Sequence, residues 1–471
     1  MPFKICSDVT NVVDTPLNIS QIPSQNEIVI TSDNKQIRLV KKLAEGGEGA
    51  VYEIDFKDEV AKIYNAHSNT KRRFEKLKLM TSKNISFNGI CYPTRLLYNQ
   101  NGEFVGYLMP KASGKTLGRS IFAAKPLFLK NFPNFKKQDM VNLCLNILTK
   151  IRYLHNKNII LGDINPENIL LVSPNEVYFV DTDSYQIENF PCPVGTINYT
   201  APEIQGKHYP DFLRTKGNEN FALATLLFMI MVPGKPPYSQ QGGGDPAKNI
   251  TNMDFSYPFG DNSNKKTPDG PWRFIWSHLP YRLKEAFYKT FASGEEYSYE
   301  NTRLNVDKWI EIFKDYQKMF DKLIDTDEMS NEIYPTRHKK HKDFNYIKCS
   351  LCGNEVQEDS AKMGICNTCL YDKGEPYKCK ICNKDMLYTN YQRFILKQPK
   401  FNICLECNSS KNNIVWQGVC AGCGKKLTLT KGKYEFYRRK NYDMPKRCET
   451  CRDNTNKPSI IDKIIDFIFG V

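Results

Sequence analysis

Residues 159–171 read IILGDINPENILL: an apolar run, a short polar loop carrying Asp163, Asn165 and Asn168, then a second apolar run. Taken alone, the loop is a turn capped by an Asp, so its meaning depends on what flanks it. Upstream, DMVNLCLNILTKIRYLH (139–155) repeats apolar residues at i, i+3, i+4 and i+7 and reads as a helix with one buried face. Downstream, NFALATLLFMIMV (220–232) is apolar all round, the pattern of a central buried helix.

Further out, strands come first. Residues 1–35 read as an irregular leader. In QIRLVKKLAEGGEGAVYEIDFKDEVAKIY (36–64), β-branched runs flank a glycine cluster and predict three strands. TKRRFEKLKLM (70–80) has helical spacing, and RLLYNQNGEFVGYLMP (95–110) predicts two strands across an Asn-Gly turn. The fold class is therefore α+β: a small sheet lobe at 36–110, then a helical lobe at 111–320. The helical pattern fades into a charged linker at 321–346.

The 471 residues suffice for two to four domains, and 40% hydrophobic residues can bury a large core. A mean hydropathy of −0.53 and the lack of an apolar run near the roughly 20 residues of a spanning helix argue against a membrane span. The N-terminal stretch lacks the pattern of a signal peptide, so a cytoplasmic location is expected. Of 16 Cys, 12 fall between Cys349 and Cys451, all in C-x-x-C pairs; in a reducing compartment such pairs read as metal ligands before disulfides.

Gly46, Gly47 and Gly49 lie between two predicted strands, with Lys62 on the next. Glycines let backbone N–H groups come close to phosphates, although alone they equally fit a hairpin turn. Glu75 is the only acidic residue from 60 to 102 and is the expected counter-charge of Lys62; on a solvated helix face it would pair with Lys78 instead.

GGEGAVYE (46–53), VAKIY (60–64), GDINPENILL (162–171), VYFVDTD (177–183), GTINYTAPE (195–203) and NTRLNVDKW (301–309) occur in the order and spacing of the eukaryotic-type (Ser/Thr) protein kinase family, which residues 36–318 resemble. The resemblance implies that ATP binds against Ala44, Gly46, Gly47, Gly49 and Val51, with Lys62 on its phosphates and Met109 to Lys111 at its adenine. It implies that Asp163 orients the attacking hydroxyl, that Asn168 and Asp181 hold Mg²⁺, and that Thr196 contacts Asp163. Glu203 would pair with Arg303 as a structural ion pair. Phosphoryl transfer needs positioning and charge neutralisation more than covalent help, which suits such a set.

The sequence departs from that family at several places. Leu161-Gly162 replaces the His-Arg ahead of the catalytic Asp, so capture of an activating phosphate is not expected. Asn165 stands where Ser/Thr kinases carry a Lys. Asp181-Thr182-Asp183 keeps the metal Asp but turns the family's glycine into a second acid, which either joins the metal shell or caps a turn. Glu219 takes the place of an Asp that braces the catalytic loop.

Three Cys modules follow: Cys349/Cys352 with Cys366/Cys369 (347–370), Cys379/Cys382 with Cys404/Cys407 (377–408), and Cys420/Cys423 with Cys448/Cys451 (418–452). Each pair of turns presents four thiolates, a set that selects a structural Zn²⁺ with no position open for water. Modules this small cannot bury enough core alone, so metal would fold them. The last resembles the zinc ribbons appended to bacterial proteins. Its Tyr434, Phe436 and Tyr437 either form the ribbon's own small core or meet a base or a protein. Residues 458–471, with SIIDKIIDFIFGV (459–471), predict a short amphipathic helix for docking.

The tail from 331 on holds 26 Lys+Arg against 15 Asp+Glu, or +11 of the chain's +14. Three four-thiolate zinc sites at −2 each would reduce it to +5, a weak basis for nucleic-acid binding. The expected function is a cytoplasmic Ser/Thr protein kinase using ATP and Mg²⁺, with a tail that recruits a protein substrate or partner, in the manner of bacterial signalling or defence kinases. Two rivals remain: a pseudokinase scaffold that binds without transferring phosphate, and a nucleic-acid sensor acting through the ribbons.

Overall fold

The strands of the first hundred or so residues form a closed sheet. In this computed structural model, which describes residues 2–321, 327–340, 344–380, 382–404 and 414–453, Ile28–Thr31 (β1), Gln36–Glu45 (β2), Gly49–Ile54 (β3), Glu59–Tyr64 (β4), Arg95–Tyr98 (β5) and Phe104–Pro110 (β6) pair antiparallel in the order β1-β2-β3-β4-β6-β5. Pairing of β1 with β5 closes the barrel. Val29, Leu39, Ala61, Ile63, Leu97 and Val105 fill its interior. Side chains alternate faces along a strand. With Ala61 and Ile63 inside, Val60, Lys62 and Tyr64 of β4 face outward, and Val60 and Tyr64 join the core that includes Leu77 and Met80 of the helix Lys71–Ser82 (α1).

Helices take over after β6. Lys115–Thr116 (β7) and Lys125–Asn131 (α2) lead into Lys137–Asn156 (α3), the long helix ahead of the polar loop. Ile159–Ile160 (β8), Ile169–Ser173 (β9), Glu176–Phe179 (β10) and Gln186–Ile187 (β11) follow; β9 pairs with β10, and β8 with β11. Lys216–Met231 (α4) is buried from Asn218 onward, as its uninterrupted apolar run requires. Pro246–Thr251 (α5), Trp272–His278 (α6), Tyr281–Phe291 (α7) and Val306–Asp321 (α8) complete the lobe.

Two segments expected to lie outside the fold belong to it. The leader 1–35 supplies β1, whose four residues are too few to show alternation, and its Phe3 is buried with its N–H on Lys157 O at 2.9 Å. The linker is ordered where described up to Lys339, the end of this unit. Arg337 grips Asp327 with two bonds of 2.7 and 2.8 Å, His278 lies between Ser330 Oγ and Arg337 O, and Ile333 is in the core. A charged run shows no period, and His278 meets this segment from more than 50 residues away.

The second unit starts at Lys340. It is built of small hairpins: Tyr346–Lys348 (β12) with Glu355–Gln357 (β13), Gly374–Lys378 (β14) with Asp385–Thr389 (β15), and Ile414–Val419 (β16) with Lys426–Thr430 (β17). Short helices Asn367–Tyr371 (α9), Lys431–Arg439 (α10) and Glu449–Asp453 (α11) accompany them. Its core holds Leu370, Tyr391, Trp416 and Leu429 among buried cysteines. Tyr437 is buried in that core, with Tyr434 and Phe436 packed against it. The helix expected at 458–471 lies outside the described residues.

Candidate functional site

Strand register builds one wall of the site. Lys62 of β4 stands opposite Tyr107 of β6, and Tyr64 lies two residues on along the same face. The Lys62 ammonium donates to Asp181 Oδ1 at 2.7 Å and to Asp183 at 2.8 and 3.1 Å, and lies 3.8 Å from Glu48. Burial disfavours the charge on Lys62, but the two aspartates outweigh it and raise its pKa above the ordinary lysine value. Burial likewise opposes ionisation of Asp183, yet Lys62 and Arg73 hold its carboxyl well below the usual range. Burial and the adjacent Asp183 push Asp181 the other way, up.

The expected Lys62–Glu75 pair does not form, which corrects the sequence reading. Helix α1 turns Lys76, Leu77 and Met80 inward, leaving Glu75 half-buried on its flank. Lys76 docks the helix by donating to Ser184 O at 2.9 Å, and burial pulls its pKa down to about 8. Arg73, one turn earlier, bonds Glu48 of the glycine loop at 2.6 Å and lies over the Tyr64 ring.

That loop is a turn between β2 and β3, with Ala44 opposite Val51 and the Gly46 N–H on Gly49 O at 2.9 Å. A Cβ on Gly49 would lie 2.1 Å from Ile63 O, so only glycine fits beside β4, while Gly46 and Gly47 have open space around them. Strand pairing of β6 runs through Met109 and Pro110. Lys111 donates its N–H to Asp58 O and its ammonium to Glu53 at 2.7 Å, which holds its side chain against β3.

The polar loop of 159–171 carries its own network. Thr196 Oγ1 donates to Asp163 Oδ1 at 3.0 Å, and the Asn165 amide donates to Asp163 Oδ2. Asn168 Nδ2 reaches Asp163 O at 3.3 Å. Asp181 sits in the left-handed region, at φ 57°, a conformation Asp tolerates better than most residues. Glu219 braces the loop from α4: its carboxylate accepts the N–H groups of Leu161 and Gly162 at 2.8 and 2.7 Å and meets His155 Nε2 at 2.9 Å. Glu203 and Arg303 form two bonds of 2.6 and 2.8 Å.

Sequence reasoning missed Arg214. Its buried guanidinium donates to the carbonyls of Cys192 and Val194 at 3.2 and 2.6 Å, holding the segment that leads to Thr196. Gly162, at φ +76°, makes room: a Cβ there would lie 2.4 Å from Cys192 Cβ and 2.6 Å from Arg214 Nη1. The glycine that replaces the family's arginine is thus a steric necessity for a guanidinium arriving from 52 residues later, which no local pattern announces. Glu48, Tyr64 and Tyr107 were also missed, since their role depends on register.

In the second unit, Cys349, Cys352, Cys366 and Cys369 converge with all four sulfurs within 4.8 Å of one another, as do Cys420, Cys423, Cys448 and Cys451. Bonds of about 2.3 Å in a tetrahedron place sulfurs about 3.8 Å apart, and Cys352–Cys366 and Cys423–Cys448 stand at 3.8 and 3.6 Å. The Cys448 N–H reaches Cys420 Sγ at 3.2 Å, a backbone bond that suits a thiolate. Cys379, Cys382 and Cys404 form a third group; Cys407 lies outside the described residues. The donor sets fit structural zinc.

A buried lysine bonded to two aspartates, with a loop Asp and Asn held by their own network, is the set of residues that the resemblance to protein kinases led one to expect. Comparison with known proteins agrees. Residues 112–328 match the protein kinase domain family. The chain is 29% identical over 280 residues to protein kinase YegI of Escherichia coli K12, covering 56% of this chain and 43% of that protein, and 29% identical over 267 residues to its counterpart in E. coli O157:H7, covering 54% and 41%. It is 24% identical over 252 residues to serine/threonine-protein kinase sgk-1 of Caenorhabditis elegans, covering 51% of each. The chain spans less than half the length of the two E. coli relatives. The kinase likeness thus falls on the first unit, with residues 112–328 matching the kinase domain and bacterial kinases among the relatives, and a Cys-rich tail of small β modules follows. No helix among the described residues is long and apolar enough to cross a membrane.

Proposed function

We propose that this protein transfers the γ-phosphate of ATP to Ser or Thr hydroxyls of protein substrates, and that its zinc-ribbon tail recruits a substrate or partner. The observation that carries this reading is the Asp163 carboxylate, held by Thr196 at 3.0 Å and by Asn165, beside Asn168. A hydroxyl arriving there meets an oriented acceptor for its proton. Asn168 and Asp181 would hold Mg²⁺, which when bound neutralises phosphate charge. Lys62 would reach the phosphates beneath the glycine loop, and the backbone after Pro110 would take the adenine. With Arg214 spent on backbone carbonyls, the segment before Thr196 is held without a phosphate, so phosphatase treatment should leave activity unchanged.

Phosphotransfer from labelled ATP tests the reading: Asp163→Ala and Lys62→Ala should each lose about 100-fold or more. One observation favours a scaffold instead. Asn165 stands in the place of a basic residue, and its amide is engaged with Asp163 and the Glu167 N–H, so it brings no charge to the γ-phosphate. Nucleotide binding by a wild-type protein that transfers no phosphate would establish that alternative.

A further inference from the structure

We propose that Asp183, the second acid of Asp181-Thr182-Asp183, is the resident counter-ion that positions Lys62, filling the part expected of Glu75 and standing outside any metal shell. The inference rests on the nucleotide-site reading above and names a further positioning residue within it.

The argument is one of lone pairs. A carboxylate accepts about four hydrogen bonds. On Asp183, Oδ1 accepts from Lys62 Nζ at 2.8 Å and from Tyr107 OH at 2.8 Å, and Oδ2 accepts from Tyr64 OH at 2.6 Å and from Lys62 at 3.1 Å. Its side chain is 3% exposed, so both oxygens are filled by donors from β4 and β6 and none is left for an ion. Asp181 contrasts with it: its side chain is 45% exposed, and its Oδ1 meets Lys62 at 2.7 Å. Asp183 does not cap the turn either, since none of its bonds goes to a backbone N–H. The turn is closed by the Ser184 hydroxyl on Asp181 O and by the Tyr185 N–H on Thr182 O. Thr182 between the two acids is anchored inward on Cys91 O at 2.8 Å, which fixes which way each neighbour faces.

The two tyrosines make the arrangement a built one. Register places Tyr107 directly across from Lys62, and strand periodicity places Tyr64 on the same face. Together they form a pocket whose only charge-matched occupant is a carboxylate beside the ammonium. Asp183 enters it from a segment 121 residues away, two residues from Asp181. A single short stretch of chain thereby supplies both a candidate metal ligand and the lysine's counter-ion, and their spacing is fixed by one peptide turn rather than by how helix α1 is placed.

The experiment uses the full chain with Asp183→Asn, Asp181→Asn, Glu75→Gln and Lys62→Met, read in three ways. In Mn²⁺ titrations of the ADP complex followed by electron paramagnetic resonance, Asp181→Asn should weaken metal binding at least 10-fold, and Asp183→Asn should leave it within about 2-fold. In thermal melts, the Lys62→Met/Asp183→Asn double variant should melt about 3 °C or more above the sum of its single effects, because removing both charges leaves neither buried alone; Lys62→Met/Glu75→Gln should be additive. In turnover, Asp183→Asn should lower kcat 10- to 100-fold, as expected for a misplaced phosphate-binding group, with Glu75→Gln within 2-fold of wild type. Tyr107→Phe, which removes one donor and no charge, should lower kcat a few-fold without moving Mn²⁺ affinity, and serves if Asp183→Asn folds poorly. The proposal is overturned if Asp183→Asn costs as much metal affinity as Asp181→Asn, or if the stability coupling appears at Glu75 instead. A wild type that transfers no phosphate would sink the kinase reading alone, because the metal and melting measurements need no turnover.

Discussion

The unit up to Lys339 and the unit from Lys340 bury different materials. In the first, Trp309, Phe221, Phe228 and Phe287 are fully buried around α4, and one core runs from Phe3 to Ile333. In the second, cysteines are a large share of what is buried: Cys349, Cys366, Cys369, Cys379, Cys404 and Cys420 lie among a few aliphatic and aromatic side chains such as Leu370, Leu429 and Trp416. Small modules expose too much surface to be held by apolar burial alone. The difference teaches where each unit must find its stability, the first in packing and the second, once its thiolates hold metal, in ligation, and the two should fail separately.

Metal removal should produce the largest effect. Structural zinc contributes about 10–16 kcal/mol in small finger domains, so chelation should abolish the tail's structure and expose Cys349 and Cys420 to alkylation. The melting of the unit up to Lys339 should stay unchanged. A joint loss of both transitions in calorimetry would break the comparison. Next in size, Arg303→Met leaves Glu203 without its two-bond partner. It should destabilise the first unit by about 3 kcal/mol and leave thiol reactivity in the tail untouched, as measured by denaturant unfolding.

A smaller effect of opposite sign is expected at Lys137. Its ammonium is fully buried without a hydrogen-bond partner, and burial pulls its pKa down to about 7. Below pH 7 the lysine is charged in both states and the folded one bears the whole cost. Between about 7 and 10.5 only the unfolded state holds the proton, so stability rises with pH, and above 10.5 the cost is gone. Lys137→Met should therefore stabilise the first unit by about 1–3 kcal/mol at pH 7 or below, with the gain shrinking toward pH 10. Equal gains at pH 6 and pH 10 in urea unfolding would refute this.

Much of the fold was legible because it is local. β-Branched runs around a glycine cluster predicted β2 to β4, an Asn-Gly turn placed β5 and β6, the spacing in 139–155 predicted α3, and the all-apolar run at 220–232 predicted a buried α4. Of the candidate site, only contacts between short motifs were legible, such as Thr196 on Asp163. Glu75 misled because sequence gives a residue's charge but not the side of the helix on which it lies. Glu48 and Asp183 could not be assigned because their partners come from other strands and segments. β1 and the described part of the linker up to Lys339 escaped for a similar reason: four residues or a charged run carry no period, and tertiary contacts alone decide their place.

Gly162 and Arg214 cannot be exchanged one at a time. Any side chain at 162 collides with the guanidinium, and any loss of the guanidinium leaves two carbonyls unserved next to an empty space. A lineage moving between this arrangement and one with an arginine before the catalytic loop Asp must therefore change both positions together. Surveys of natural variants should find these two sites covarying, with few sequences holding bulk at both.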